Sequence, residues 1–219
     1  MIIMINQTKA NFSHKFIVFV NGLLSYKGTS SPISAVYDNT LTDMSGSLLF
    51  RTIVDQSISL SNLLPLKWLW AEKLSKAHIV TNENYEQVGT FQYVEGGSLD
   101  PHYAIGYKNY DIKLYRYSKG SKIHILLFHN DEQIGQYNKS NIIEDNLDEY
   151  TLYLLDSYGE LAPILSLFTI YFDSYNFARR GEYVLYKKEI HWQWTIGVSS
   201  DKYNPQWLND NFGDYIFEG

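Results

Sequence analysis

Apolar and polar residues alternate with a period of two through much of this chain, the repeat of a strand with one face buried. Phe16-Ile17-Val18-Phe19-Val20 runs into Asn21-Gly22, which reads as a strand entering a tight turn. Ser47 to Val54 and Leu64 to Trp70 are further strand candidates, with a helix through Trp68 to Leu74 as the alternative reading of the second. The pattern continues through Ala77 to Thr81, Val88 to Val94, His102 to Tyr107, Asp111 to Tyr117, Lys122 to Phe128, Gln133 to Tyr137 and Tyr150 to Leu155. Turn signals spaced by roughly 8–12 residues predict an antiparallel sandwich or barrel. Val80 to Gly89 and Phe128 to Gly135 share an apolar strand, an Asn- or Asp-containing turn and a Glu-Gln-aliphatic-Gly return. They read as two hairpins with common turn chemistry, the glycine permitting a bulge or a close strand contact. Gly28-Thr29-Ser30-Ser31-Pro32 and Gly96-Gly97-Ser98-Leu99-Asp100 read as turns.

One segment breaks the β pattern. Ala162 to Ala178 has Pro163 in a first-turn position, Arg179 and Arg180 near its end and Gly181 as a stop, all helix-end signals. Ile164 to Phe172 is apolar nearly all the way round, so this helix has no face to offer water and should be enclosed on every side. In an otherwise β chain that implies a closed or nearly closed antiparallel barrel wrapped around it. Tyr183 to Tyr186 and Glu189 to Ile196 then read as a closing hairpin, with Ile190, Trp192, Trp194 and Ile196 on one face. Asn204 as cap, Pro205 behind it and Gly213 past the end predict a short terminal helix over 204–212, docked by Trp207, Leu208 and Phe212.

Composition narrows the function classes. The 219 residues suit a single domain over 1–219, and 45% hydrophobic content is enough for a real core. With no cysteine, the chain has no disulfide scaffold, thiolate metal site or Cys nucleophile. A formal charge of −6 argues against general nucleic-acid binding. Met1 to Asn6 is apolar without the basic region of a secretory signal, and the apolar run from Leu161 stops at Asp173, short of the roughly 20 residues a membrane span needs. The expected address is cytoplasmic, with no transmembrane segment.

The order of hairpins, the late all-apolar helix with an Asp near its end (Ile164 to Asp173) and the short strand after it resemble the tubby-like superfamily, which includes tubby C-terminal, LURP-one-related and scramblase-like proteins. The likeness is clearest from Leu74 to Trp194, in the hairpin Ala77 to Gly89 and the block Tyr150 to Asp156 followed by Leu161 to Phe177. It implies an all-β fold, a closed antiparallel barrel of about twelve strands around one central hydrophobic helix in the C-terminal half, in a bacterial member. The chain lacks the Cys-rich segment of scramblases, and the phosphoinositide-binding basic residues of animal tubby proteins have no matching positions.

The chemistry-bearing residues are sparse. His14, His78, His102, His124, His129 and His191 show no metal-ligand spacing, and no nucleophile elbow, phosphate loop or dinucleotide fingerprint is present, so no metal and no cofactor are expected. Lys108, Lys113, Arg116, Lys119 and Lys122 cluster along the hairpin Tyr107 to Ile123 among tyrosines, the chemistry of a phosphate or acidic-partner site. Strand alternation splits them, with Lys113, Tyr115 and Tyr117 on one face and Ile112, Leu114 and Arg116 on the other. Glu144, Asp145, Asp148 and Glu149 form an acidic run. A helix-filled lumen leaves no interior substrate pocket, so the chain is expected to be a non-catalytic binding module and not an enzyme. Its partner is expected to be an anionic membrane surface, met through the basic hairpin, or a protein. The alternative is an immunity protein that inhibits a bacterial toxin through the acidic run.

Overall fold

The computed structural model describes residues 1–10, 13–31, 38–54, 73–95, 101–119, 122–140, 147–176 and 202–216. Twelve strands appear in them: β1 (Ile2–Ala10), β2 (His14–Val20), β3 (Leu23–Ser31), β4 (Asp38–Asp43), β5 (Leu48–Val54), β6 (Lys73–Thr81), β7 (Gln87–Glu95), β8 (His102–Tyr107), β9 (Tyr110–Lys119), β10 (Lys122–His129), β11 (Glu132–Lys139) and β12 (Glu149–Leu154). Each pairs antiparallel with the next, and β1 pairs with β12 through Ile2↔Tyr153 to Asn6↔Glu149, so the sheet closes on itself. A 3-10 turn over Asp156–Leu161 leads into α1 (Ala162–Asn176), and α2 (Trp207–Ile216) follows later.

Alternation does the sorting. Ile3 and Ile5 on β1, Phe16 and Val18 on β2, Ile112 and Leu114 on β9, and Tyr150, Leu152 and Leu154 on β12 point inward and are buried. They meet α1, where Ile164, Leu165, Leu167, Phe168, Ile170, Tyr171 and Phe172 are all buried as well. The helix is thus enclosed on every side, as its unbroken apolar surface demands. Its hydroxyls are satisfied locally: Ser166 Oγ donates to the Ala162 carbonyl at 2.7 Å and Thr169 Oγ1 to the Leu165 carbonyl at 3.0 Å.

The stretch expected as a turn at Gly28 is a correction, because Gly28 to Ser31 lie inside β3. The strand crosses α1 so closely that a Cβ on Gly28 would sit 2.1 Å from Ile170 Cδ1, so the glycine marks a close approach and not a turn. Met1 to Asn6, an apolar start without the basic region of a secretory signal, supplies the strand that closes the barrel. The two echoing hairpins do share their build: each has a register shift beside its turn, at Val80/Thr81 and Leu127/Phe128. In each the glycine, Gly89 or Gly135, lies against a carbonyl of the next strand, that of Gly106 or Tyr153.

The turns at Asn21–Gly22, Gly46, Tyr85, Lys108 and Asn130–Asp131 use positive φ, and antiparallel order places all five at one end of the barrel. The N-terminus of α1 enters at this tight-turn end. At the terminal helix, Asn204 Oδ1 accepts the Gln206 N–H at 3.0 Å, and Trp207 and Phe212 are buried. The helix does not stop before Gly213; it kinks at Phe212 (φ −137°, ψ 17°) and continues to Ile216. The candidate strand Leu64 to Trp70, the turn at Gly96 to Asp100 and the closing hairpin between 183 and 196 lie outside the described residues.

Candidate functional site

Two places gather polar chemistry: the deep end of the lumen, and the outer wall over β9–β12. In the lumen, strands and helix bring Gln7, His14, Arg116, Lys139, Asp148, Tyr150 and Asp173 together. The Tyr150 hydroxyl donates to Asp173 Oδ1 at 2.8 Å, both groups being fully enclosed. Lys139 and Asp148 form a buried ion pair, and Lys139 Nζ also stands 5.4 Å over the Tyr150 ring. Arg116 stands near the same Tyr150 phenol, so cationic and anionic groups share this end of the lumen. Burial pulls the Arg116 guanidinium below its ordinary pKa, an effect opposed by Tyr103, Tyr150 and Tyr93 around it. Burial first, then the Asp173 and Asp148 charges, push the Tyr150 phenol well above its usual value, so it remains a neutral donor.

Hydrogen-bond roles fix the His14 tautomer. Gln7 Oε1 accepts the Asp148 N–H at 3.0 Å, which turns Gln7 Nε2 toward His14 Nδ1 at 3.0 Å. That amide nitrogen donates, so Nδ1 accepts and the ring proton resides on Nε2. Asp173 Oδ2 lies 3.5 Å from the same Nδ1. A histidine–carboxylate base relay needs the opposite arrangement, with Nδ1–H aimed at the carboxylate. A second set fills the same end: Ser174 Oγ lies 2.5 Å from Ser30 Oγ and 3.1 Å from Asn39 Oδ1, and Asn39 Nδ2 donates to Thr52 Oγ1 at 3.0 Å. His78 Nε2 is 2.7 Å from the Tyr175 hydroxyl. This arrangement anchors the C-terminal end of α1 to β1–β6, β11 and β12. Asp173 was visible as an odd polar residue ending an apolar helix; Gln7 and Lys139 lie outside the strands read from the sequence, and the alternation of β1 and β11 turns them inward.

On the outer wall, Lys113, Tyr115 and Tyr117 face away from Ile112 and Leu114, as alternation requires. The C-terminal segment lies against this face. Tyr203 stacks on Tyr117 with centroids 4.0 Å apart and planes at 7°, and Lys202 Nζ stands 4.7 Å over the Tyr115 ring and 5.4 Å over Phe128. Further along, Phe212 packs on Tyr153 at 5.4 Å.

The basic hairpin residues do not converge. Lys108 sits in the β8–β9 turn, its Nζ 2.8 Å from Glu160 Oε2, while Lys119 and Lys122 are register partners at the far end of β9 and β10. The ten residues of β9 between them span roughly 30 Å. Arg116 belongs to the lumen and Lys113 is exposed on the wall. Of the acidic run, Asp148 is enclosed with Lys139 because its register points it inward, and Glu149 is exposed; Glu144 and Asp145 lie outside the described residues. Among the described residues no group of three or more His, Asp or Glu side chains is placed to hold a metal ion. No helix among them is long and apolar enough to cross a membrane. Compared with known proteins, the chain matches no family model, no curated protein and no solved structure.

Proposed function

We propose that the chain is a non-catalytic, tubby-like binding module that docks peripherally on an anionic membrane surface through the outer wall of its barrel. The observation that carries this is the filled lumen: α1 occupies the space where a barrel enzyme or carrier would keep its cavity, and its residues from Ile164 to Ser174 are buried. Recognition then falls to the wall. There Lys9, Lys15, Lys27 and Lys113 are exposed, and none forms an ion pair with a described acid. Tubby-like membership is supported by the closed twelve-stranded barrel around a buried helix, which is the architecture the resemblance implies. The toxin-inhibitor alternative draws less support, since Asp148 is withdrawn from the acidic surface it needs.

The test is co-sedimentation with phosphatidylcholine vesicles and with vesicles that also contain phosphatidylserine, at low and physiological salt. Binding only to the anionic vesicles, weakened by salt, is the expected result, because exposed charges separated from lipid by more than about 8–10 Å are screened. Equal sedimentation with both compositions, or with neither, refutes the proposal.

A further inference from the structure

Charge is distributed unevenly along this chain. Residues 1–37 contain Lys9, Lys15 and Lys27 and no Asp or Glu, a charge of +3 in a chain whose total is −6, leaving −9 on the rest. Those residues build β1, β2 and β3, which are neighbours in the barrel. The same three strands carry most of the exposed large apolar side chains among the described residues: Leu23 at 74%, Met4 at 43% and Leu24 at 41%. Met44, at 41%, stands on the adjoining β4–β5 turn.

Register arranges these groups in layers. Leu23 is at the β2–β3 turn, at the tight-turn end. Behind it comes the row Met4, Phe19 and Leu24, then Asn6, Ile17 and Lys27, then Lys9 and Lys15. At about 3.3 Å per residue, Lys27 stands roughly 10 Å behind Leu24 and Lys15 roughly 13 Å behind Phe19. Glu149, the partner of Asn6, borders the strip on one side. Asp43, the partner of Tyr26, borders it on the other, and its carboxylate is turned into its own turn by the Ser45 hydroxyl and the Ser47 N–H.

We propose that this strip, Leu23, Leu24 and Met4 in front and Lys27, Lys15 and Lys9 behind, is the face that meets an anionic bilayer, with the leucines in the hydrocarbon boundary and the lysines at the phosphates. The proposal rests on membrane docking as the module's function and names where it happens. A protein interface places its apolar core inside a surrounding polar rim. Here the apolar and cationic groups are separated along the strand axis, the order a bilayer presents from acyl chain to headgroup. An interfacial segment buries its apolar face by about 5–10 Å, which brings lysines at this depth to the headgroups. The β9–β10 face has no such layering, and the C-terminal segment already lies across its aromatic rings.

The absence of cysteine allows a direct test, because a single introduced thiol can be labelled with a polarity-sensitive dye in the full chain. On phosphatidylserine-containing vesicles, dye at Leu23→Cys should shift to the blue and dye at Lys113→Cys should not. Each lysine beside an anionic surface contributes roughly five-fold in affinity, so K15E/K27E should weaken binding at least about 25-fold and abolish its salt dependence. L23S/L24S should weaken it at least about ten-fold and leave the salt dependence in place. A shift at 113 without one at 23, with K15E/K27E binding like the parent, overturns the strip while membrane docking stands. No vesicle binding by the parent overturns both. Binding of the parent to an acidic peptide such as polyglutamate, with vesicles ignored, assigns the strip to a protein and overturns the membrane assignment.

Discussion

Gly28→Ala is the substitution that tests whether α1 fills the barrel as described. The new Cβ would fall 2.1 Å from Ile170 Cδ1 and 3.2 Å from its Cγ1, with Phe16 Cβ 3.5 Å away. Neither side can retreat easily, since Ile170 and Phe16 are fully packed. Overpacking of this kind costs about 1–3 kcal/mol, and about 2 is expected here. Ile170→Val alone removes Cδ1 and leaves a small void, at a cost of about 1 kcal/mol. If the two sites were independent the double variant would lose about 3 kcal/mol. Because the valine removes the atom that the alanine strikes, the double variant should lose only about 1, a coupling of about 2 kcal/mol. Urea unfolding followed by the fluorescence of the chain's five tryptophans measures this. With a slope of about 2–3 kcal/mol per molar urea, Gly28→Ala alone should lower the midpoint by nearly 1 M. A Gly28→Ala midpoint equal to the parent's, or additive losses in the double variant, would show that β3 and α1 do not touch here and would remove the argument from a filled lumen.

Two further outcomes follow from the buried charges and phenols. Lys139→Met strands Asp148 in the interior and should cost about 3–5 kcal/mol in the same urea assay, whereas Lys139→Met with Asp148→Leu should recover most of it, because replacing both partners removes the desolvation penalty. Tyr137, Tyr150 and Tyr171 all have phenols raised by burial. Their folded-state values exceed the unfolded ones, so the stability they support is intact below about pH 10 and is lost as pH climbs toward the folded values. Each such tyrosine contributes about 1.4 kcal/mol per pH unit in that window, and Tyr171→Phe should flatten the alkaline limb of a stability–pH curve by one proton; an unchanged slope would refute it.

The fold was legible wherever a residue's role depends on its near neighbours. Strand alternation in Asp111 to Tyr117 sends Ile112 and Leu114 inward and Lys113 outward whatever the neighbouring strand is. The same rule put Arg116 with the inward set. The candidate sites were less legible because they depend on which strands become neighbours. Lys108 and Lys122 look close in sequence, yet a strand's length separates them. Asp148 looks like one acid among four, yet β11 delivers Lys139 beside it. Gly28 to Ser31 carry the composition of a turn, and only the passage of α1 at van der Waals distance explains why a strand uses them.

The linear order of residues therefore determined β2 and β5 to β12, the turn chemistry of the hairpins and the enclosure of an apolar helix. All three follow from local conformational preference and from the cost of leaving apolar surface in water. Tertiary structure alone decided that β1 seals against β12, that polar groups of β1–β6, β11 and β12 meet at the end of α1, and that three acid-free strands lie side by side with their apolar and cationic residues in layers. Those are pairings between distant segments. They are set by register and by the packing of the whole barrel around its helix, which no short stretch of the chain contains.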